Sequence, residues 1–351
     1  PRAARMPPSS KANTPAPASE RHARGLASER HARGLTSGGP PATLCGVIDI
    51  DAALAALALH DKCALVAGRS QWRTHAVPEA GVPQLKMSDG PNGVRGEGYG
   101  GSGTPGVVVP AGITLGATWD PGLVGEIGSL IGTETLRKGA HIVLGPTVNL
   151  HRTPLGGRTF ECYSEDPELT GALAVAYVRG VQSHDVAVTV KHFAANDTEI
   201  ERMTVDVDVD ERTLRELYLR PFERTVTEAH AWGIMSAYNR LDGEFCAHNR
   251  RLLTDILRDE WGFDGFVVSD WYGVHDAVGA ANAGLSLEMP GPVRIYGKKL
   301  VAAVERCDVD EAQVDRLVRD LLVLADRVHA DERSADEPER SVDCLLYTSP
   351  S

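Results

Sequence analysis

Residues 166–193, DPELTGALAVAYVRGVQSHDVAVTVKHF, contain one complete unit of a helix followed by a strand. An aspartate and a proline open the stretch, and both are common at helix starts. Apolar residues then recur at helical spacing, which predicts a helix over 166–183. The next run, VAVTV, is rich in β-branched residues and predicts a buried strand over 186–193. Ionisable groups follow at once, because Lys191 and His192 close this apolar run.

The same alternation of helix and strand continues on both sides of this unit. The other predicted helices cover 51–66, 121–138, 210–230 and 249–261. The other predicted strands cover 84–88, 141–150, 233–238 and 265–269, followed by a short helix, a short strand to Glu288 and two helices to about 330. Strands separated by helices are typical of βαβ units and a parallel sheet. About eight such units fit the size of an α/β protein with a (β/α)8 barrel of the TIM type.

An open, doubly wound sheet is the alternative fold, and one glycine-rich motif supports it. Residues 98–103, GYGGSG, match the dinucleotide-binding pattern GxGxxG. The motif does not follow an apolar strand, and it continues into Thr104-Pro105-Gly106 instead of a helix. We therefore interpret it as a surface loop and expect no cofactor, which leaves a nicotinamide oxidoreductase as a remote alternative.

Composition excludes several classes of function. The chain has 351 residues, with 36 basic and 48 acidic side chains and a formal net charge of −12. An acidic chain repels phosphate backbones, so we expect no nucleic-acid partner. We expect no membrane span, because no run of about 18 apolar residues is present. Six scattered cysteines without a CxxC pair predict neither a disulfide framework nor a structural metal site.

The two ends differ in composition from the middle. Residues 1–43 are rich in Pro, Ala, Ser, Gly and Arg, and SERHARGL occurs at both 19–26 and 28–35. This composition predicts a disordered leader before a barrel domain at 44–330. Residues 331–351 are interpreted as a disordered linker that runs into a truncated or foreign tail. The leader lacks the apolar core of a secretory signal, so the expected location is the cytoplasm.

Polar side chains collect where the predicted strands end. Asp89 follows the strand 84–88, Lys191 and His192 close 186–193, Tyr238 ends 233–238, and Asp270 follows 265–269. Each residue taken singly also fits a helix cap, a turn or a structural histidine. In a barrel, however, these strand ends share one rim, where catalytic groups lie. Such a rim, without a phosphate-binding loop, suits a neutral polyhydroxylated ligand such as a sugar.

Six sequence blocks also carry a family resemblance. In order they are SDGPNGVR at 88–95, LGPTVNLHRTPLGGR at 144–158, FECYSEDP at 160–167, KHFAAND at 191–197, MSAYN at 235–239 and VSDW at 268–271. Together they resemble the signature blocks of glycoside hydrolase family 3 β-glucosidases. The resemblance extends from about residue 50 to 330.

The resemblance implies a role for each matching residue and a β-glucoside or oligosaccharide as the substrate. Asp270 would be the nucleophile of a retaining glycosidase, which attacks the anomeric carbon while a second carboxyl group protonates the leaving oxygen. The residues that would hold the sugar before the scissile bond are Asp89, Arg158, Lys191, His192 and Tyr238. Met235 and Trp271 would form apolar walls of that subsite, and Arg95 is a further candidate.

The sequence departs from the family pattern in two ways. In two-domain members the acid/base glutamate lies on a second α/β domain after the barrel. The chain ends before such a domain, so we expect it to be missing, the acid/base to be unassigned and turnover by the chain alone to be low. Single-domain β-N-acetylhexosaminidases resemble KHFPGHG where this chain has KHFAAND. That enzyme, a xylosidase-like member and a non-catalytic sugar-binding barrel remain alternatives. We interpret Glu288 as a scaffold residue rather than a rim carboxylate.

Overall fold

The computed structural model of the chain describes residues 48–98 and 103–340. The α-helices are α1 Ile50–Ala56, α2 Leu59–Leu65, α3 Gly112–Gly116, α4 Pro121–Arg137, α5 Pro167–Gln182, α6 Glu211–Thr213, α7 Arg220–Thr227, α8 Ala277–Ala283, α9 Lys298–Glu305 and α10 Glu311–Arg327. Wider, π-type helical turns span Leu214–Tyr218 and Arg251–Glu260. The strands are β1 Met87–Asp89, β2 Ile142–Leu144, β3 Ala187–Val188, β4 Val190–Phe193, β5 Asp206–Val207, β6 Gly233–Ser236, β7 Arg240–Leu241, β8 Glu244–Phe245 and β9 Phe266–Ser269.

Some of the sequence predictions concern residues outside these ranges. They are the disordered leader at 1–43, the end of the predicted tail at 341–351 and most of the glycine motif, at 99–102. Residues 331–340, the beginning of that tail, are described and contact the domain. Arg333 accepts a hydrogen bond through its carbonyl from His141 Nε2 at 2.8 Å, and the Glu339 carboxylate accepts one from the Glu97 amide at 2.7 Å.

Two parallel sheets form the centre of the domain. One has the order β1-β2-β3 and the other β4-β6-β9, and every neighbouring pair in them is parallel. The predicted α/β class with parallel strands is therefore confirmed. The strands are short and each sheet is small and open. A third sheet, β5-β7-β8, contains the parallel pair β5-β7 and the antiparallel pair β7-β8.

Single bridges extend the pairing between and beyond these sheets. Thr147, beyond the end of β2, pairs in parallel with Lys191 in β4. Leu287 pairs with Val268 in β9, and the next residue, Glu288, pairs with Ala67 near the start of the domain. The predicted strand that ends at Glu288 is thus reduced to two isolated bridges.

The helices agree with the sequence predictions in position. Asp120 and Asp166 cap α4 and α5 through their carboxylates, and a proline follows each of them as expected. The predicted helix 51–66 is interrupted at Leu57, which is buried in an extended conformation between α1 and α2. Helices α4 and α5 pack so closely that a Cβ at Gly180 would overlap the Gly125 carbonyl. The absence of a side chain at Gly180 permits this contact.

The central strands are buried along their whole length. Every residue of β2, β6 and β9 is buried, as expected for parallel strands covered on both faces. Polar side chains appear where these strands end. Among the described residues, no helix combines the length and apolar character needed to cross a bilayer.

Candidate active site

A cavity of about 1010 Å³ lies at the carboxyl ends of the parallel strands. Every residue that the sequence analysis selected as a site candidate lines it, namely Asp89, Arg95, Arg158, Lys191, His192, Met235, Tyr238, Asp270 and Trp271. The structure therefore brings together side chains that are up to about 180 positions apart, because parallel strands end at a common edge.

Asp89 is the last residue of β1 and forms an ion-paired corner of the cavity. Lys191 Nζ donates to its Oδ1 at 2.9 Å, and Arg95 Nη1 lies 3.4 Å from its Oδ2. Burial alone would raise the pKa of Asp89, but the charge and hydrogen bond of Lys191, together with the charge of Arg95 and the Gly90 amide, outweigh burial and hold the pKa below its ordinary value. The next residue, Gly90, has φ +126°, and a Cβ there would overlap the carbonyl of Gly93. Glycine at this position thus allows the tight turn that follows the carboxylate.

Asp270 follows β9 directly and is only 8% exposed. Its Oδ1 accepts a hydrogen bond from the Trp271 amide at 2.7 Å. Its Oδ2 has no hydrogen-bond partner in the described part of the chain, and lies 3.6 Å from His192 Nε2. Burial raises the pKa of Asp270, although the charges of Lys191 and Arg158 partly offset the rise. Asp270 therefore presents one oxygen with no hydrogen bond, while its other oxygen is held by the backbone.

Arg158 and His192 contact each other beside Asp270. Arg158 Nε donates to Glu161 Oε1 at 2.5 Å, and its Nη2 lies 3.2 Å from His192 Nε2. Burial, together with the charges of Arg158 and Lys191, lowers the pKa of His192 well below its ordinary value. The imidazole is therefore neutral near pH 7.

The apolar side of the cavity is built from Met235 and two tryptophans. The rings of Trp72 and Trp271 lie 5.3 Å apart at their centroids, tilted by 42°. Trp271 Nε1 donates to the Gln71 carbonyl at 3.2 Å, and the Tyr238 hydroxyl donates to the Trp271 carbonyl at 2.8 Å. These bonds fix the indole ring at the wall, where its apolar face can pack on a pyranose ring.

Sequence reasoning missed several residues that belong to this site. Trp72, Arg202 and Tyr272 line the cavity, as does Glu161 through its contact with Arg158. Arg202 Cζ lies 5.1 Å from the centre of the Tyr238 ring. None of these residues lies at the end of a predicted strand, so selecting polar residues at strand ends could not identify them.

Glu288 occupies a structural position, in agreement with its interpretation as a scaffold residue. Its side chain is buried, and its carboxylate accepts hydrogen bonds from the amides of Ile295 and Tyr296 at 2.8 and 2.6 Å. It does not line the cavity. Within residues 48–98 and 103–340, no cluster of three His, Cys, Asp or Glu side chains is arranged to hold a metal ion.

Known proteins share both the sequence and the fold of this domain. Residues 55–324 match the model of the glycosyl hydrolase family 3 N-terminal domain. A β-glucosidase of Rhizobium radiobacter is 51% identical over 294 residues, which are 84% of this chain and 36% of that protein. A probable β-glucosidase I of Aspergillus fumigatus is 46% identical over 299 residues, or 83% of this chain and 36% of that protein.

Two solved structures agree with this match. The β-glucosidase of Kluyveromyces marxianus in complex with glucose superposes with a TM-score of 0.81 and 39% identity, covering 84% of this chain and 36% of that one. β-Glucosidase 3B of Thermotoga neapolitana in complex with glucose gives a TM-score of 0.77 and 37% identity, covering 82% and 44%. The chain spans about 36% of the length of the curated relatives it matches. The family resemblance of the six sequence blocks is confirmed, and the chain belongs to glycosyl hydrolase family 3.

Proposed function

We propose that this domain carries the glucose-binding and nucleophilic half of a retaining β-glucosidase. The observation that carries the proposal is the free Oδ2 of Asp270 in a cavity lined by paired charges and tryptophans. The relatives and solved structures reported above bear the name β-glucosidase, and two of those structures hold glucose. These names describe the relatives, and they support the same substrate class here.

In the proposed reaction, Asp270 Oδ2 attacks the anomeric carbon of a terminal β-glucosyl unit. The bond from that carbon to the leaving oxygen breaks, an acid/base group protonates that oxygen, and a covalent glycosyl ester of Asp270 forms. Water, which gives its proton to the same acid/base group, then attacks the anomeric carbon and releases glucose and the free carboxylate. Asp89 and Lys191 would bind sugar hydroxyls through charge-assisted hydrogen bonds, and Trp271 would pack on the ring.

The acid/base group is proposed to come from a part of the protein beyond the described residues. Of the carboxylates that line the cavity, Asp89 is paired with Lys191, Glu161 is paired with Arg158, and Asp270 is the proposed nucleophile. The relatives are much longer than this chain, so they have room for a further α/β domain.

We also propose that the linked small sheets form an irregular (β/α)8 barrel. The bridges from Thr147 to Lys191, from Val268 to Leu287 and from Glu288 to Ala67 support this, because they continue the pairing of one strand with the next. The position of the candidate residues at the carboxyl ends of the strands agrees with such a barrel.

Covalent trapping tests the proposed nucleophile. The full chain is incubated with 2,4-dinitrophenyl 2-deoxy-2-fluoro-β-D-glucoside, whose leaving group departs without acid assistance, so no second domain is required. Mass spectrometry should find one adduct, on the peptide that contains Asp270. Asp270→Asn should abolish it. Asp320→Asn is the matched control, since the Asp320 side chain is only 11% exposed and burial likewise raises its pKa, but it does not line the cavity.

Two results would contradict the proposal. One is a chain that is folded by circular dichroism yet forms no adduct, and the other is an adduct that survives Asp270→Asn. The corresponding N-acetylglucosaminide and xyloside reagents test the related activities. Faster labelling by either of them would favour that substrate class over glucose.

A further inference from the structure

Asn149 lies in the loop after β2 and holds His192 by three contacts. The side chain is 5% exposed. Its Oδ1 accepts from the His192 backbone amide at 2.9 Å, and its Nδ2 donates to the His192 carbonyl at 3.0 Å. A backbone amide can only donate and a carbonyl can only accept, so these two bonds fix which end of the Asn149 amide is oxygen.

The third contact then determines where His192 carries its proton. Nδ1 of the ring lies 3.1 Å from the same Asn149 Oδ1, which can only accept, so Nδ1 carries the hydrogen. On the other side of the ring, Arg158 Nη2 lies 3.2 Å from Nε2. A guanidinium can only donate, so Nε2 presents a lone pair. Two independent partners therefore require the same neutral tautomer.

This tautomer matters for Asp270, because His192 Nε2 lies 3.6 Å from Asp270 Oδ2. With a lone pair on Nε2, His192 donates no hydrogen bond to that oxygen. A hydrogen on Nε2 would place a donor beside the carboxylate and, in an imidazolium, a charged one. Arg158, Lys191 and Arg202 are the cations around the ring, and all three oppose its protonation.

We propose that Asn149 is a positioning residue, which keeps Nε2 of His192 unprotonated and so leaves Asp270 Oδ2 free to react. The reactive consequence rests on the proposed function, whereas the tautomer itself does not. Asn149 does not line the cavity, and it lies within the predicted strand 141–150 and not after its end. The sequence pattern alone therefore does not assign it a role.

Nitrogen NMR of the full chain labelled with ¹⁵N-histidine tests the tautomer without any substrate. Long-range proton–nitrogen spectra distinguish a ring nitrogen that carries hydrogen from one that does not, and His192→Gln assigns the signal. The wild type should show hydrogen on Nδ1 only. Asn149→Asp should place a carboxylate against Nδ1, stabilise the imidazolium and raise the pKa of His192. Asn149→Ala should weaken the preference for Nδ1, and adding Arg158→Ala, which removes the second partner of the ring, should abolish it.

The matched control is Asn249→Ala. Asn249 is also 5% exposed, but its Oδ1 accepts from the Leu252 amide, and the residue does not line the cavity. This variant should lower stability as a buried asparagine does, and it should leave the His192 signals unchanged. Hydrogen on Nε2 in the wild type would overturn the proposal, as would wild-type His192 signals in both Asn149→Asp and the Asn149→Ala/Arg158→Ala double variant.

Labelling kinetics supply the second readout. Asn149→Asp should slow labelling of Asp270 by roughly 10-fold to 100-fold at neutral pH, the range typical of groups that orient a reacting side chain. Labelling should recover as the pH rises, since deprotonation restores the Nε2 lone pair. A uniform loss at every pH would contradict the positioning role. If the tautomer is as expected but the wild type is never labelled, the β-glucosidase proposal fails while the assignment of Asn149 stands.

Discussion

Each side of the cavity holds a carboxylate that the protein shields from much of the solvent, but the two carboxylates have opposite environments. On one side, Asp89 is held by Lys191 at 2.9 Å, and its pKa is lowered despite burial. On the other side, Asp270 has an oxygen without a hydrogen-bond partner among the described residues, and burial raises its pKa. Both groups lie at the ends of apolar strands, but only Asp89 accepts a hydrogen bond from Lys191, whereas Asp270 accepts one from the Trp271 amide.

This contrast separates a binding group from a reactive one. A carboxylate whose charge is neutralised by a lysine can still accept hydrogen bonds from hydroxyls, but it is a poor nucleophile. An ionised carboxylate with one free oxygen in a desolvated site is a better one. The structure therefore supports different roles for two residues that look alike in the sequence, where both directly follow a serine.

The largest effects are expected when the Asp89–Lys191 pair is disrupted by substituting each partner in turn. The Lys191 side chain is 5% exposed and that of Asp89 is 25% exposed, so Asp89→Asn and Lys191→Met should both lower the free energy of unfolding, by less than the about 3–5 kcal/mol typical of fully buried pairs. Their effects on Asp270 should differ. Lys191→Met removes a cation that favours ionised Asp270, so the pKa of Asp270 should rise further.

The measurement is the rate of Asp270 labelling as a function of pH. The acid limb should move to higher pH in Lys191→Met, because labelling requires the ionised carboxylate. In Asp89→Asn it should not move upward, since Lys191 is then left to act on Asp270 alone. An upward shift of the same size in both variants would mean that Lys191 does not distinguish the two carboxylates.

A third carboxylate, Asp197, also has one oxygen without a hydrogen-bond partner among the described residues, but it does not line the cavity. Its Oδ1 accepts from the Leu150 amide at 2.6 Å, and its Oδ2 has no partner within the described residues. Burial raises its pKa from 3.8 to about 6. The folded state thus binds more protons than the unfolded state between these values, so stability falls as pH rises from about 4 to about 6.

Asp197→Asn should remove this pH-dependent loss. A shift of this size corresponds to about 3 kcal/mol, so the variant should gain up to that amount at pH 7 and nothing below about pH 4. Urea unfolding at both pH values measures the gain. Labelling of Asp270 should be unchanged. A variant that is equally stabilised at both pH values would show that ionisation of Asp197 is not the cause.

The parts of the fold and of the site that could be predicted from the sequence are those that depend on residues close together in the chain. Helix α5 and strand β4 were predictable because apolar spacing and a capping aspartate are local. Asp89 and Asp270 were predictable because they end apolar runs. The β7-β8 hairpin also left a usable signal, the turn Asp242-Gly243, where both residues have positive φ.

Other features leave no local signal. Trp72 reaches the cavity by packing on Trp271, about 200 positions away, and Asn149 acts through a partner in another strand. These are contacts between distant parts of the chain, which periodicity and strand ends do not encode.

The smallest expected effect concerns Arg95, at the outer edge of the Asp89 side. Its side chain is 67% exposed and lies 3.4 Å from Asp89 Oδ2, so solvent screens the pair, and its net contribution is less than about 1 kcal/mol. Arg95→Ala should therefore slow labelling of Asp270 by less than about 5-fold, with the melting temperature nearly unchanged. Arg95→Lys keeps the charge and is the matched control. A loss in Arg95→Ala as large as that in Asp89→Asn, but absent in Arg95→Lys, would contradict this expectation. The exposed cation would then contribute as much to binding as the buried Lys191. Pairing with Lys191 alone would no longer explain the difference between the two sides of the cavity.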